Sequence, residues 1–305
     1  MNKIKLSVLE FGVRTNPNPR AVVGEIMDYA ATADKLNFHR FWLAEHHEAD
    51  TSASFTNPEI VITLIASSTR KIRIGAGGAL IGYTSPYTLA SNYKFLNNLF
   101  SNRIDFGLSK GKPNNVNKHD YFRLRDKTHS ELFVDHLEAI TELYENEEEN
   151  FSEKEIVIPP YTGTPPALWY LSNSYKDIKL ALQHKFNYCR SLFHGLDSLD
   201  KPQEKEELLK FKEAFHSQHN YYPDVALAIC ISFTSNEDEI QTYESANKDL
   251  PNVLKVIAVT IDSLFDLLIS FQTLYGIDEF IILDMERDNK IKKENLQLIN
   301  QRFEL

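Results

Sequence analysis

Glu45-His46-His47 places two imidazoles beside a carboxylate, directly after the apolar run 38–43. Imidazoles titrate near neutral pH, so a pair of them next to a carboxylate suits general acid–base work. Zinc is the competing use. Adjacent side chains at a strand end diverge, however, and the helical HExxH spacing is absent, so no metal site is expected. Gly75-Ala76-Gly77-Gly78 gathers three of the chain's 11 glycines. Such a run lets a flat ligand approach the main chain closely, and it equally makes a tight turn. Ser109-Lys110-Gly111 offers a positive charge, and Ser172-Asn173-Ser174 offers hydroxyls and backbone N–H groups at a helix start. Both suit a phosphate, although the second also reads as an ordinary helix cap. Glu10, Arg190 and His194 complete the set of polar candidates.

These residues share a position, since each follows a short apolar run. Strands are expected near 4–8, 38–43, 72–74, 103–108, 167–171, 186–190, 225–232 and 279–283, with a helical pattern after each. Asn57 caps a helix that Pro58 opens. Ser174 is expected to open the helix 174–184, and two helices, 236–248 and 261–275, are expected between the last two strands. Eight strand–helix units in somewhat more than ~250 residues predict an α/β fold, a (β/α)8 TIM barrel, with an insertion after the fourth strand and one domain over 1–305. The rival is an open doubly wound sheet, which the missing GxGxxG after the first strand weakens. In a barrel, chemistry sits at the C-terminal strand ends, where every candidate above falls. The loops 111–127 and 145–165 are expected at the mouth. Phe11, Tyr83, Tyr121, Phe122, Phe193 and His194 are candidate pocket walls. The acidic run 145–155 reads as a solvated helix end and loop.

Composition sets the outer bounds. The net charge is -10, the reverse of the basic field that nucleic-acid binders carry. The charged start, Met1 to Glu10, is not expected to be a signal peptide, and no run of about 18 apolar residues is present to span a membrane. Cys189 and Cys230 stand isolated in apolar surroundings and read as reduced core thiols. A cytoplasmic protein that contacts neither membrane nor nucleic acid is expected.

Taken together, the segments at 5–11, 38–47, 57–111 and 166–181 resemble the bacterial luciferase-like flavin oxidoreductase superfamily. The specific part is Arg40-Phe41-Trp42-Leu43-Ala44-Glu45-His46-His47, then the glycine turn, then Arg103-Ile104-Asp105-Phe106-Gly107-Leu108. The resemblance covers the first half almost continuously and the second half in patches. It implies a barrel holding reduced FMN, or a deazaflavin, at its C-terminal mouth. By the same resemblance His46 lies near the reactive edge of the ring, with Glu45 and His47 shaping its surroundings. Ala76-Gly77-Gly78 corresponds to the family's backbone shelf under the flavin, often built with a non-proline cis peptide. Ser109, Lys110, Ser172, Asn173 and Ser174 fall where the family holds the phosphate, and Glu10 joins the cofactor site.

Two departures matter. Lys110 stands where many members have arginine, supplying charge without the bidentate fork. Ser109 replaces the thiol of light-emitting chains, so light emission is not inherited. The resemblance leaves three functions open. One is a monooxygenase, with NAD(P)H as electron source and a flavin reductase as partner. Another is a reductase of activated C=C bonds, since the lysine-containing motif and compact length are similar to members that reduce dehydroamino acids in lanthipeptide maturation. The third is a non-catalytic flavin-binding partner subunit. The substrate is expected to be a small molecule or a peptide, and the assembly a homodimer.

Overall fold

The structure is a computed structural model that describes residues 3–16, 18–47, 54–111, 129–175, 178–194, 202–247 and 254–305. The chain alternates strand and helix: β1 (Lys5–Glu10), α1 (Pro19–Lys35), β2 (Arg40–Leu43), α2 (Pro58–Ser68), β3 (Arg73–Leu80), α3 (Pro86–Leu99) and β4 (Ile104–Ser109). Two helices follow, α4 (His129–Glu145) and α5 (Glu147–Lys154), before β5 (Ala167–Ser172), α6 (Ile178–Gln183), β6 (Asn187–Ser191), α7 (Pro202–His219) and β7 (Val225–Phe233). The chain closes with α8 (Glu237–Asn247), β8 (Val256–Val259), α9 (Ile261–Tyr275), β9 (Glu279–Asp284) and α10 (Asn289–Phe303).

All strand pairs are parallel, and β1 through β7 with β9 form a closed ring, because β1 pairs with both β2 and β9 while β7 pairs with both β6 and β9. The fold is therefore an eight-stranded TIM barrel. A ninth strand among the described residues, β8, corrects the expected strand count. The cause lies in β7, which is longer than β6 can cover. Residues 225–228 pair with β6, and the edge at 230–233 is filled by Val256–Val259. Asn57 caps α2 as expected, accepting from the Ile60 amide, and α1 starts in the same way, with Pro19 at its head and Asn18 accepting from the Arg20 and Ala21 amides. Two expectations are corrected. α6 starts at Ile178, not Ser174, and Glu147–Lys154 of the acidic run is helical. Among the described residues no helix is long and apolar enough to cross a membrane.

Strand alternation divides the side chains into two cores. Outward residues such as Val8, Phe41, Ile74 and Phe106 pack under the helices. Inward residues stack in layers. At the N-terminal floor Arg40 donates to Asp105 (3.2 Å) and Asp224 (3.0 Å) and pairs with Glu279, which also accepts from Ser7 (2.9 Å). Arg73 adds two 2.8 Å bonds to Asp105, and the Trp169 indole donates to the same carboxylate at 3.3 Å. Buried charges survive when paired in this way. Above them Trp42 and Trp169 meet edge to face at 5.5 Å, plugging the barrel centre. The plug raises whatever binds at the mouth to the C-terminal ends.

Candidate active site

The Trp42 plug dictates the glycines beside it. A Cβ on Gly75 would come within 2.7 Å of Trp42 Cζ3, and one on Gly77 within 2.9 Å of Trp42 Cβ. Gly78 has the same restriction from Leu171 Cδ1 (2.6 Å) and Ser109 Cβ (2.9 Å). Strand β3 continues through this run instead of turning, with a register shift against β4 between Ala76 and Ala79. The Gly77–Gly78 peptide is cis. The result is a patch of bare backbone above the indole.

That patch is one wall of a cavity of about 360 Å³ at the barrel mouth, inside the ~300–1,000 Å³ range of ligand pockets. Gly77, Gly78, Ser109, Lys110, Gly111, Ser172, Asn173, Phe193 and His194, all sequence candidates, line it together. The Lys110 ammonium lies over the rings of Phe133 (5.3 Å) and Tyr170 (5.8 Å), beside the cavity. Ser109 Oγ accepts from the Gly111 amide at 3.2 Å, and Ser172 Oγ accepts from the Ser174 amide at 3.4 Å. Backbone without side chains on one wall, with an ammonium, hydroxyls and an amide on the next, fits a flat ring system carrying a phosphate. Lys112, Pro113, Tyr121 and Phe122, expected near the mouth, lie outside the described residues.

The histidine triplet sits at the rim and not in the cavity wall. Glu45 works as a strut: its Oε1 lies 2.6 Å from His47 Nε2, and its Oε2 accepts from the Leu80 amide at 2.9 Å. It thereby ties the β2 loop to the end of β3, just past the glycine patch. The His46 ring packs on Phe11 with centroids 4.6 Å apart. It also lies close enough to His194 to affect it. Burial first, and then the neighbouring His46, hold the His194 imidazole below its ordinary pKa.

Four candidates stand elsewhere, and Ser174 is one: it is not in the lining, and its amide donates to Ser172 Oγ. Ala76 faces the outer core. Glu10 is buried in an ion cluster, bonded to Arg14 (2.7 and 2.9 Å) and the Gly12 amide (2.7 Å), with Lys292 at 3.9 Å. Burial pushes its carboxyl up, but Lys292 and Arg14 outweigh that and hold it below the usual value. Arg190 faces outward and pairs with Glu204 of α7 at 2.8 Å. Sequence reasoning passed over Cys189 and Ser191, which line the cavity from β6 beside Phe193 and His194. Their spacing of two, the same as that of Leu9 to Ser7 and Trp42 to Arg40, was the available signal. Among the described residues no group of three or more His, Cys, Asp or Glu side chains is placed to hold a metal ion.

Comparison with known proteins places this geometry in context. A family model described as luciferase-like monooxygenase matches residues 6–250. N-acetyl-S-alkylcysteine monooxygenase of Bacillus subtilis is 25% identical over 260 residues, covering 83% of this chain and 74% of that one. Across this and two other curated relatives from Bacillus subtilis the matched stretch spans between 57% and 74% of their length. Among solved structures, apo-MsnO8 superposes with a TM-score of 0.76 at 21% identity, covering 99% of each chain. The oxygenating constituent of 3,6-diketocamphane monooxygenase from Pseudomonas putida, in complex with FMN, has a TM-score of 0.72 at 14% identity, covering 99% of this chain and 98% of that one.

Proposed function

The chain belongs to the luciferase-like monooxygenase family, and from that premise we propose that it is an FMN-dependent monooxygenase acting on a small organic substrate. One observation carries the reading: the bare Gly77–Gly78 backbone, the Ser109–Lys110 pair and the Ser172–Asn173 pair line one cavity at the C-terminal mouth. Gly77 and Gly78 present a flat surface against which an aromatic ring system lies without meeting a Cβ. Lys110, Ser172 and Asn173 hold the phosphate, the lysine by charge and the other two by short polar side chains. Bound there, reduced flavin would supply the two electrons that, with two protons, let one atom of oxygen enter the substrate and the other leave as water. The protein contributes orientation and electrostatics. Trp42 and Trp169 close the barrel beneath the site and exclude water from below. His46, at the rim against Phe11, moves protons at its ring nitrogen, and the Glu45–His47 strut fixes the loop that carries it.

Oxygen dependence tests the reading. The monooxygenase requires oxygen for every turnover. Full turnover of an unsaturated substrate under anaerobic conditions identifies a reductase instead, and a deazaflavin that binds in preference to FMN replaces the cofactor assignment.

We further propose that two copies pair through α2 and α3. Ile60 and Leu64 on α2, with Phe95 and Leu99 on α3, are exposed apolar side chains on neighbouring helices. The only charged residues of these helices are Glu59, half-buried, and Lys94, buried. On a chain of net charge -10, a charge-free apolar face is where two copies can meet without like charges in direct contact.

A further inference from the structure

The cavity has two walls of different chemistry. The β3–β5 side is bare backbone and polar groups around a single apolar side chain, Leu171, and the flavin reading assigns it to the cofactor. Leu9, Trp42, Cys189, Phe193, Ala228 and Ile281 make the other side apolar. One polar unit is set into that apolar wall. Ser191 and His194 both line the cavity, and Ser191 Oγ lies 2.8 Å from His194 Nδ1. We propose that His194, oriented by Ser191, anchors the oxygen of a compact, uncharged, largely apolar substrate carrying a carbonyl or hydroxyl group. This assignment rests on the flavin reading, because it gives the opposite wall to the cofactor.

The geometry selects the substrate class in three steps. With Nδ1 engaged by Ser191, the ring nitrogen left for a ligand is Nε2. It donates to a carbonyl when the serine hydroxyl donates to Nδ1, and accepts from a hydroxyl in the other tautomer. Charge is the second criterion. No Asp, Glu, Lys or Arg is among the residues that line this wall, and burial pushes the Cys189 thiol well up, so the wall presents no carboxylate, ammonium, guanidinium or thiolate. Lys110, the charged residue of the lining, stands on the cofactor side. A carboxylate entering against Trp42, Phe193 and Ile281 would lose its hydration with no opposite charge on that wall. Size is the third. A cavity of about 360 Å³ that also receives a ring system leaves room for a compact body.

The test is binding to the FMN-loaded protein, read by the change in the visible absorption of bound FMN and by calorimetry. The probes are cyclohexanone, cyclooctanone and 2-octanone, matched with cyclohexanecarboxylate and octanoate. Saturable binding is expected for at least one ketone, and weaker binding for the carboxylate of matching size. His194→Ala should weaken the ketone at least tenfold, about 1.4 kcal/mol. His194→Gln should restore part of that loss and Ser191→Ala should fall between, with FMN affinity and Tm unchanged in all three variants. A carboxylate that outbinds the ketones, a His194→Ala protein with unaltered ketone affinity, or no ketone binding at all overturns the proposal while FMN binding stands. Failure of the wild-type chain to bind FMN is a separate result, and it overturns the flavin reading itself.

Discussion

Two glycine-to-alanine changes, chemically identical, should move this protein in opposite directions. At Gly78 the new Cβ falls 2.6 Å from Leu171 Cδ1, 2.9 Å from Ser109 Cβ and 3.2 Å from the Gly107 carbonyl oxygen. The leucine end can rotate away, but Ser109 Cβ and the Gly107 carbonyl are fixed by strand β4, so the bare patch must shift. Overpacking of this kind costs about 1–3 kcal/mol. The same shift displaces the backbone on which the ring system lies, so FMN affinity should drop by at least tenfold, about 1.4 kcal/mol. Gly24 provides the opposite case. It lies inside α1 with nothing within 4 Å of its ideal Cβ, so alanine there should stabilise by about 0.5–1 kcal/mol through helix propensity and a less flexible unfolded chain. Urea unfolding gives both stabilities, and an FMN absorbance titration gives the affinity. If Gly78→Ala keeps wild-type stability and FMN affinity, the close-packed shelf is wrong.

Three further outcomes are expected. Glu45→Ala removes the acceptor of the Leu80 amide and should cost about 1–3 kcal/mol in urea unfolding, while Glu45→Gln, which keeps an acceptor, should cost less; equal costs would deny the strut. His39 is held down to about 4 by burial first and then by Arg40 and Lys5, against Asp105 and Asp224. Between about 6.5 and about 4 the unfolded chain binds the proton that the folded chain refuses, so stability should fall as pH drops through that window, and His39→Gln should flatten the fall in urea midpoints. Phe95→Lys puts a charge on the α2–α3 face and should halve the wild-type mass measured by light scattering; a wild-type chain that already elutes as a monomer removes the dimer.

The barrel was legible because short apolar runs and helical stripes alternate, and reading only the strand ends brought Gly77, Gly78, Ser109, Lys110, Ser172 and Asn173 to one cavity. What escaped depends on contacts distant in sequence. Glu10 looks like a mouth residue until Arg14 and Lys292 enclose it, and Arg190 until Glu204 draws it outward. β8 is four residues long and exists because β7 outruns β6, a mismatch of lengths that no local pattern announces. The glycine run reads as a turn in sequence, yet the Trp42 ring, 33 residues earlier in the chain than Gly75, is what requires it. The histidine triplet was recognisable, but its division into a strut and a rim imidazole depends on the Leu80 amide and on Phe11.

An equilibrium titration of the purified chain with FMN and with riboflavin, repeated for Lys110→Ala, tests the central claim most directly. One FMN per chain is predicted, with riboflavin at least tenfold weaker, about 1.4 kcal/mol, and with that preference largely lost in Lys110→Ala. A chain that binds neither FMN nor a deazaflavin, or that binds riboflavin as tightly as FMN and ignores the lysine, would contradict a flavin held by its phosphate at this mouth.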